Sequence, residues 1–375
     1  MSQGVPFTDL TAMTREIRPA VDRAWSDLLD SSRFVGGRAV EEFEHAWASY
    51  CGVAEAIGVA NGTDALQLTL MALGIGAGDE VIVPANTFIA SAEAVVLAGA
   101  VPRFADVSPD TLLLTPADLE AAITARTAAV IVVHLYGQMP DMEALQDAAD
   151  RAGIVLIEDA AQAHGAAWRG RRAGSMGRAG CFSFYPAKNL GAFGDAGAVV
   201  TADTKLADQI RSLRDHGRTA SSRYEHELVG TNSRLDALQA FVLTAKLSRL
   251  DAWTEARRSI AARYRAAFGD GPARLVVEQP GSLGAYHLAV AMVPDRDRVQ
   301  QQLTAAGIET HIHYPVPCHR QDPYRHFATG PLPVAERTAG EVLSLPMFPH
   351  MSDDQVALVC ETMRDALGTR EPCLG

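Results

Sequence analysis

The sequence predicts an α/β protein, with a largely parallel sheet flanked by helices on both faces and a smaller α+β unit after it. Short apolar runs alternate with longer amphipathic stretches through the first 200 residues, the pattern of strands joined by crossover helices. The last two of these runs are joined by a Gly-rich loop in place of a helix, which predicts one antiparallel strand. Near residue 250 the alternation gives way to a second unit, so the chain divides into a large domain over 1–250, with an N-terminal arm, and a small domain over 251–375.

Helical spacing of apolar residues predicts helices over Ile17–Leu29 and, after Gly36-Gly37, Ala39–Tyr50. Strands follow at Ala56–Val59, Glu80–Val83, Val101–Ala105, Val130–Val133, Val155–Ile157, Cys181–Phe184 and Ala198–Thr201. Helices at Asp64–Leu73, Ile89–Ala98, Pro116–Ala122 and Asp141–Arg151 separate most of them. Lys205–His216 is a further helix, and Arg234–Phe268 a long helical segment with a break or bend. The remainder offers an apolar stretch at Tyr286–Val293, a helix at Arg296–Ala306, a strand-like His311–Tyr314, and helices at Val334–Leu343 and Asp353–Leu367.

Composition narrows the function. With 33 Lys and Arg against 45 Asp and Glu, the net charge of -12 argues against nonspecific nucleic-acid binding, because no basic face is dense enough to neutralise phosphates. The five cysteines, Cys51, Cys181, Cys318, Cys360 and Cys373, form no CxxC pair and read as free thiols of a reducing compartment. The N-terminus has no basic, apolar leader, and no run approaches the roughly 18 apolar residues of a membrane span. A cytoplasmic protein without a membrane partner is expected.

In a parallel α/β sheet, ligands bind at the carboxyl ends of strands. After the first strand, Ala60-Asn-Gly-Thr-Asp64 opens a helix whose free N–H groups favour an anion, although a plain helix cap would use the same residues. After the second, Pro84-Ala-Asn-Thr-Phe88 offers an aromatic ring. After the fifth comes Glu158-Asp159, with Gln162 and His164 beyond. Side chains alternate along a strand, so one acid of the pair must find a cationic or N–H partner inside the protein. Gly180–Gly197 then supplies Ser183 and, just past Pro186, a lone lysine among aromatics and glycines, Lys188. A lysine in a partly dry pocket loses its proton readily and can condense with a carbonyl.

Other chemistries fit less well. Gly74-Ile-Gly-Ala-Gly78 ends a helix and precedes a strand, the reverse of a dinucleotide loop. No GxSxG surrounds Ser183. Neither Asp159 with His164 nor the group His311, His313, Cys318 and His319 has a standard zinc spacing, so no metal is expected. An anion cup, an aromatic plate, a carboxylate, a hydroxyl and a lysine are together the parts list for pyridoxal 5'-phosphate.

Six motifs occur in order: Asn61-Gly-Thr-Asp-Ala65, Pro84-Ala-Asn-Thr-Phe88, Ile157-Glu-Asp-Ala-Ala-Gln-Ala-His164, Ser183-Phe-Tyr-Pro-Ala-Lys-Asn-Leu190, Asn232-Ser-Arg234 and His313-Tyr-Pro315. Together they resemble the DegT/StrS family of pyridoxal-phosphate sugar aminotransferases, over nearly the whole chain. The resemblance implies the aspartate aminotransferase-like (type I) fold, with a mixed seven-stranded sheet, in a homodimer. It makes Lys188 the Schiff-base lysine and Asp159 the partner of the ring nitrogen. Gln162 would lie beside the ring hydroxyl, and Phe88 would stack on the ring. Gly62, Thr63 and Ser183 would hold the phosphate, and Asn232 would reach the phosphate of the other subunit. Tyr185, His313 and Tyr314 would border the sugar.

L-Glutamate is the amino donor that the family implies. The loop Lys188-Asn-Leu-Gly-Ala-Phe-Gly-Asp195 resembles the branch acting on C3-keto nucleotide (dTDP-type) deoxy sugars, as in antibiotic biosynthesis. The alternatives are a C4-keto sugar, an inosose ketone, or a dehydratase or regulator of the same fold. Family dehydratases replace the lysine with histidine, and Lys188 counts against that branch.

Overall fold

A computed structural model describes residues 4–368 apart from 220, 223 and 270; Cys373 lies outside them. The arm leads into helices α1 (Thr11–Ser31) and α2 (Arg38–Cys51). Alternation follows as β1 (Glu55–Val59), α3 (Gly62–Ala72), β2 (Glu80–Pro84), α4 (Ala90–Leu97), β3 (Val101–Ala105), α5 (Pro116–Ala122), β4 (Thr127–Val133), α6 (Met142–Ala152) and β5 (Val155–Asp159). The two-residue strands β6 (Ala167–Trp168) and β7 (Arg171–Arg172) precede β8 (Ala179–Ser183) and β9 (Gly197–Thr201). Helices α7 (Thr204–Leu213), α8 (Ala237–Leu247) and α9 (Leu250–Phe268) come next.

Seven strands form one sheet in the order β1-β9-β8-β5-β4-β2-β3. All run parallel except β9, which pairs antiparallel with β1 and with β8. The helix-free connection from β8 to β9 is the expected antiparallel step: the loop turns back at one edge of the sheet, whereas a parallel neighbour is reached by a crossover, usually a helix.

Two-residue periodicity splits the strands between two cores. Ile82, Val130 and Val132 face Phe43, Trp47, Leu145 and Leu243 of α2, α6 and α8. Val81, Val83, Ala129 and Ile131 face Leu66, Leu70, Val95 and Ile210 of α3, α4 and α7. Burial on both faces is why these strands are near-continuous apolar runs.

Beyond α9, β10 (Arg274–Leu275), β11 (Ser282–Leu283), β12 (Ala289–Met292), α10 (Arg296–Ala305), α11 (Pro333–Thr338), β13 (Val342–Leu345) and α12 (Asp353–Leu367) follow. A third core joins Tyr264 and Phe268 of α9 to Leu303, Leu343 and Met363. The long segment predicted over Arg234–Phe268 breaks between Leu247 and Leu250. Two other expectations are corrected. His311–Tyr314 is no strand: it makes one bridge, His311 to Ser344, and its rings pack on Phe7. Val334–Leu343 is not one helix. It ends at Thr338, turns at Gly340, and pairs Val342 with Met292 as a strand. Among the described residues no helix is long and apolar enough to cross a membrane.

Candidate active site

Strand ends and the helices they feed surround a cavity of about 460 Å³. Gly62, Thr63, Phe88, Asp159, Gln162, Ser183, Tyr185, Lys188, His313 and Tyr314 all line it. Asn232 does not: it is exposed and bridges Asp215 away from this cavity.

Lys188 is held by its loop. Its own N–H closes on Tyr185 O at 2.8 Å, and Ala192 N returns to Phe184 O at 2.7 Å. Asn189 Nδ2 donates to Ala285 O at 2.8 Å, and the buried Lys246 Nζ donates to Gly191 O at 2.6 Å. A side chain at Gly191 would meet Pro186 O at 2.2 Å, so only glycine lets this loop close. Among the described residues Lys188 Nζ has no hydrogen-bond or ion-pair partner. Burial pulls its pKa down to about 8, against the opposing attraction of Asp159. The residue is half-buried and keeps some surface open to the cavity.

Neighbouring imidazoles stay neutral. His164, buried among the rings of Trp47, Phe182 and Phe184, is pulled down to about 3 by burial and then by Lys188. Burial takes His313 to about 4, with His311 and Lys188 adding to it, and takes His287 well below its usual value. Lys188 is therefore the cavity group with a shifted pKa near neutrality.

The adjacent acids divide as the strand alternation requires. Glu158 points away from the cavity and accepts from Gly174, Met176 and Gly177 N–H groups at 2.7 Å each, with His134 Nε2 also at 2.7 Å. Its partners are an imidazole and backbone, not an arginine. Asp159 faces the cavity, accepting from Ser91 Oγ at 2.7 Å and Ala161 N at 3.2 Å.

Gln162 Oε1 accepts from Tyr136 N at 2.6 Å, and its amide donates to Tyr314 Oη at 3.0 Å. The Tyr314 ring lies 5.6 Å from Phe88, tilted by 40°. His313 Nδ1 sits 2.8 Å from Ser344 Oγ. Sequence reasoning missed Phe7 and Thr8 of the arm, and His287. His287 stood inside the predicted apolar stretch, where a lone polar residue was the available signal.

The residues fit pyridoxal 5'-phosphate. At the mouth of α3, Asn61 caps Asp64 N at 2.8 Å, leaving the Gly62 and Thr63 N–H groups without an intrahelical acceptor. A Cβ at Gly62 would lie 2.6 Å from Ser183 Cβ, so this helix start and the Ser183 hydroxyl form one anion cradle. Among the described residues no cluster of His, Cys, Asp and Glu could hold a metal ion.

The DegT/DnrJ/EryC1/StrS aminotransferase family model matches residues 15–364. The chain belongs to this family. It is 47% identical, over 96% of this chain and 96% of that protein, to a dTDP-3-amino-3,4,6-trideoxy-alpha-D-glucose transaminase of Streptomyces venezuelae. It is also 47% identical, over 96% and 99%, to the erythromycin biosynthesis sensory transduction protein EryC1 of Saccharopolyspora erythraea. The crystal structure of S. venezuelae DesV in complex with a ketimine intermediate superimposes with a TM-score of 0.95, at 46% identity over 99% of this chain and all of that one. A Bacillus subtilis structure with bound cofactor PMP matches with a TM-score of 0.92 at 29% identity, over 98% of this chain and 86% of that one. The fold is that of the pyridoxal-phosphate type I enzymes, and the chain is an aminotransferase whose cofactor is pyridoxal 5'-phosphate.

Proposed function

We propose that this aminotransferase moves an amino group from L-glutamate to the C3 ketone of a dTDP-linked deoxy sugar, in cytoplasmic homodimers. The single observation that carries the catalytic reading is Lys188, whose unpaired Nζ shares the cavity with Asp159 and with the Gly62–Ser183 cradle. The C3 assignment is supported by the loop through Asp195 and by the substrate named for the S. venezuelae relative.

When bound, pyridoxal 5'-phosphate supplies an electron sink for the carbon that loses or gains a proton. Asp159 would pair with its ring nitrogen and keep that nitrogen protonated. Gly62, Thr63 and Ser183 would hold the phosphate, Phe88 would stack on the ring, and Gln162 would lie beside the ring hydroxyl. Lys188 Nζ takes the proton from the α-carbon of glutamate and later returns one at C3 of the sugar, base and acid in turn. In the cofactor-free protein a pKa of about 8 leaves a share of the amine unprotonated at neutral pH. Tyr185, His313 and Tyr314 form the sugar wall, and neutral His313 offers a hydrogen bond without repelling Lys188.

Asn232, exposed and outside its own cavity, would serve the partner subunit's phosphate. Mixing inactive Lys188→Ala and Asn232→Ala subunits tests this, since a shared site regains activity in heterodimers and an unshared one does not. For the reaction, 3-keto and 4-keto nucleotide sugars are offered side by side with glutamate, and the aminated carbon is mapped by NMR. A strictly 4-amino product refutes the C3 assignment. The sensory-transduction name of the EryC1 relative favours a second reading, a regulator that does not transaminate. Failure to convert to the pyridoxamine form with any amino donor would select it.

A further inference from the structure

We propose that Ser91, backed by Thr87, is a positioning residue that orients Asp159 toward the cofactor ring, an inference resting on the role of Asp159 given above. Ser91 is fully buried in the first turn of α4, and Thr87 is buried in the loop before it. The segment Ala90-Ser-Ala-Glu-Ala94 is otherwise rich in alanine, the residue that suits a helix best. A buried hydroxyl there costs free energy unless it is hydrogen-bonded.

Proton counting gives the pair a direction. Ser91 Oγ donates to Asp159 Oδ2 at 2.7 Å. A hydroxyl carries one proton, so Ser91 has none left for Thr87. The 2.9 Å contact between Thr87 Oγ1 and Ser91 Oγ therefore runs from Thr87 to Ser91. Two hydroxyls form a chain that ends on the carboxylate.

The second oxygen, Oδ1, is held from another side by Ala161 N at 3.2 Å. The carboxylate torsion is broad when unrestrained, and these two holds, from α4 and from the loop after β5, fix it. The Ser91 bond also spreads the charge of Asp159 into the protein, where a charge-assisted hydrogen bond is stronger than a neutral one. Thr87 borders the cavity with its hydroxyl committed to Ser91, and Ser91 lies behind Asp159 outside the cavity lining, so the influence of Ser91 on the cofactor passes through that carboxylate.

The test is a cofactor titration of apo protein, read by absorbance, on wild type, S91A, T87V, D159N and the S91A/D159N double variant. Removing a donor to a charged acceptor is expected to weaken cofactor binding about 10-fold in S91A, less in T87V and more in D159N. The double variant should bind as D159N does, because the chain has lost its target. Wild-type affinity in both S91A and T87V overturns the proposal, as does full additivity in the double variant. Melting temperatures of the same apo samples separate a structural role: a drop without a change in cofactor affinity also overturns it. If D159N itself binds as wild type, the role of Asp159 is what fails, and the result is distinguishable from a failure of Ser91.

Discussion

Replacing Lys188 with methionine removes a cation that the apo protein holds at a cost. In the unfolded chain the amine has the ordinary lysine pKa, 10.5, and burial lowers it to about 8 in the folded protein. The folded state therefore binds fewer protons than the unfolded state between these values, and stability rises with pH across that window. Below pH 8 the full penalty is present. A shift of 2.5, at about 1.4 kcal/mol per pKa unit, gives roughly 3 kcal/mol, and partial opening to the cavity reduces this to about 2 kcal/mol. The expected result is that apo Lys188→Met is more stable than apo wild type at pH 7 by about 2 kcal/mol, with the gap closing as pH rises from 8 toward 10.5. Urea midpoints of cofactor-free protein at pH 7 and pH 9.5 measure it. A variant less stable than wild type at pH 7, or a gap that does not change with pH, would refute the buried-amine account. Function should go the opposite way: without the amine, the borohydride-trappable visible band of the holoenzyme disappears.

Gly62→Ala should cost about 1–3 kcal/mol of stability and weaken cofactor binding, since the new Cβ meets Ser183 Cβ at 2.6 Å; a variant with unchanged melting temperature and cofactor affinity would contradict that close approach. Glu158 has its pKa held low because His134 and the backbone N–H groups outweigh burial, so its contribution is present above the unfolded carboxyl pKa and is lost as pH falls. Glu158→Gln should accordingly lose about 3 kcal/mol at pH 7 and show a shallower acid limb in a stability–pH profile. His313→Phe should raise KM for the nucleotide sugar about 10-fold while leaving cofactor affinity unchanged; a change in both would move His313 from the sugar wall to the cofactor.

Most of the cavity wall was legible because its residues sit immediately after strands, where local order alone places them together. The turn at Gly62, the ring at Phe88, the acid at Asp159 and the lysine past Pro186 each follow an apolar run, and a parallel sheet brings such ends to one edge. The second unit was harder. Val334–Leu343 has apolar residues on both sides of Gly340, and only the pairing of Val342 with Met292 makes the later half a strand. His311–Tyr314 alternates like a strand, but the rings of His311 and His313 are taken up by Phe7 from the other end of the chain.

The sequence by itself determined the alternating elements, the antiparallel step between β8 and β9, and the chemistry available at the strand ends, because hydrophobic period and turn residues are local properties. Tertiary structure alone decided the strand order, with β9 between β1 and β8, and the imidazole and backbone partners that hold Glu158 in the scaffold. It also brought Phe7, Ser91 and His287 to the site. Those outcomes depend on contacts between residues far apart in the chain, and on where burial leaves a charge unpaired. For Lys188 the sequence supplied the amine, and the fold supplied the low-dielectric surroundings that lower its pKa.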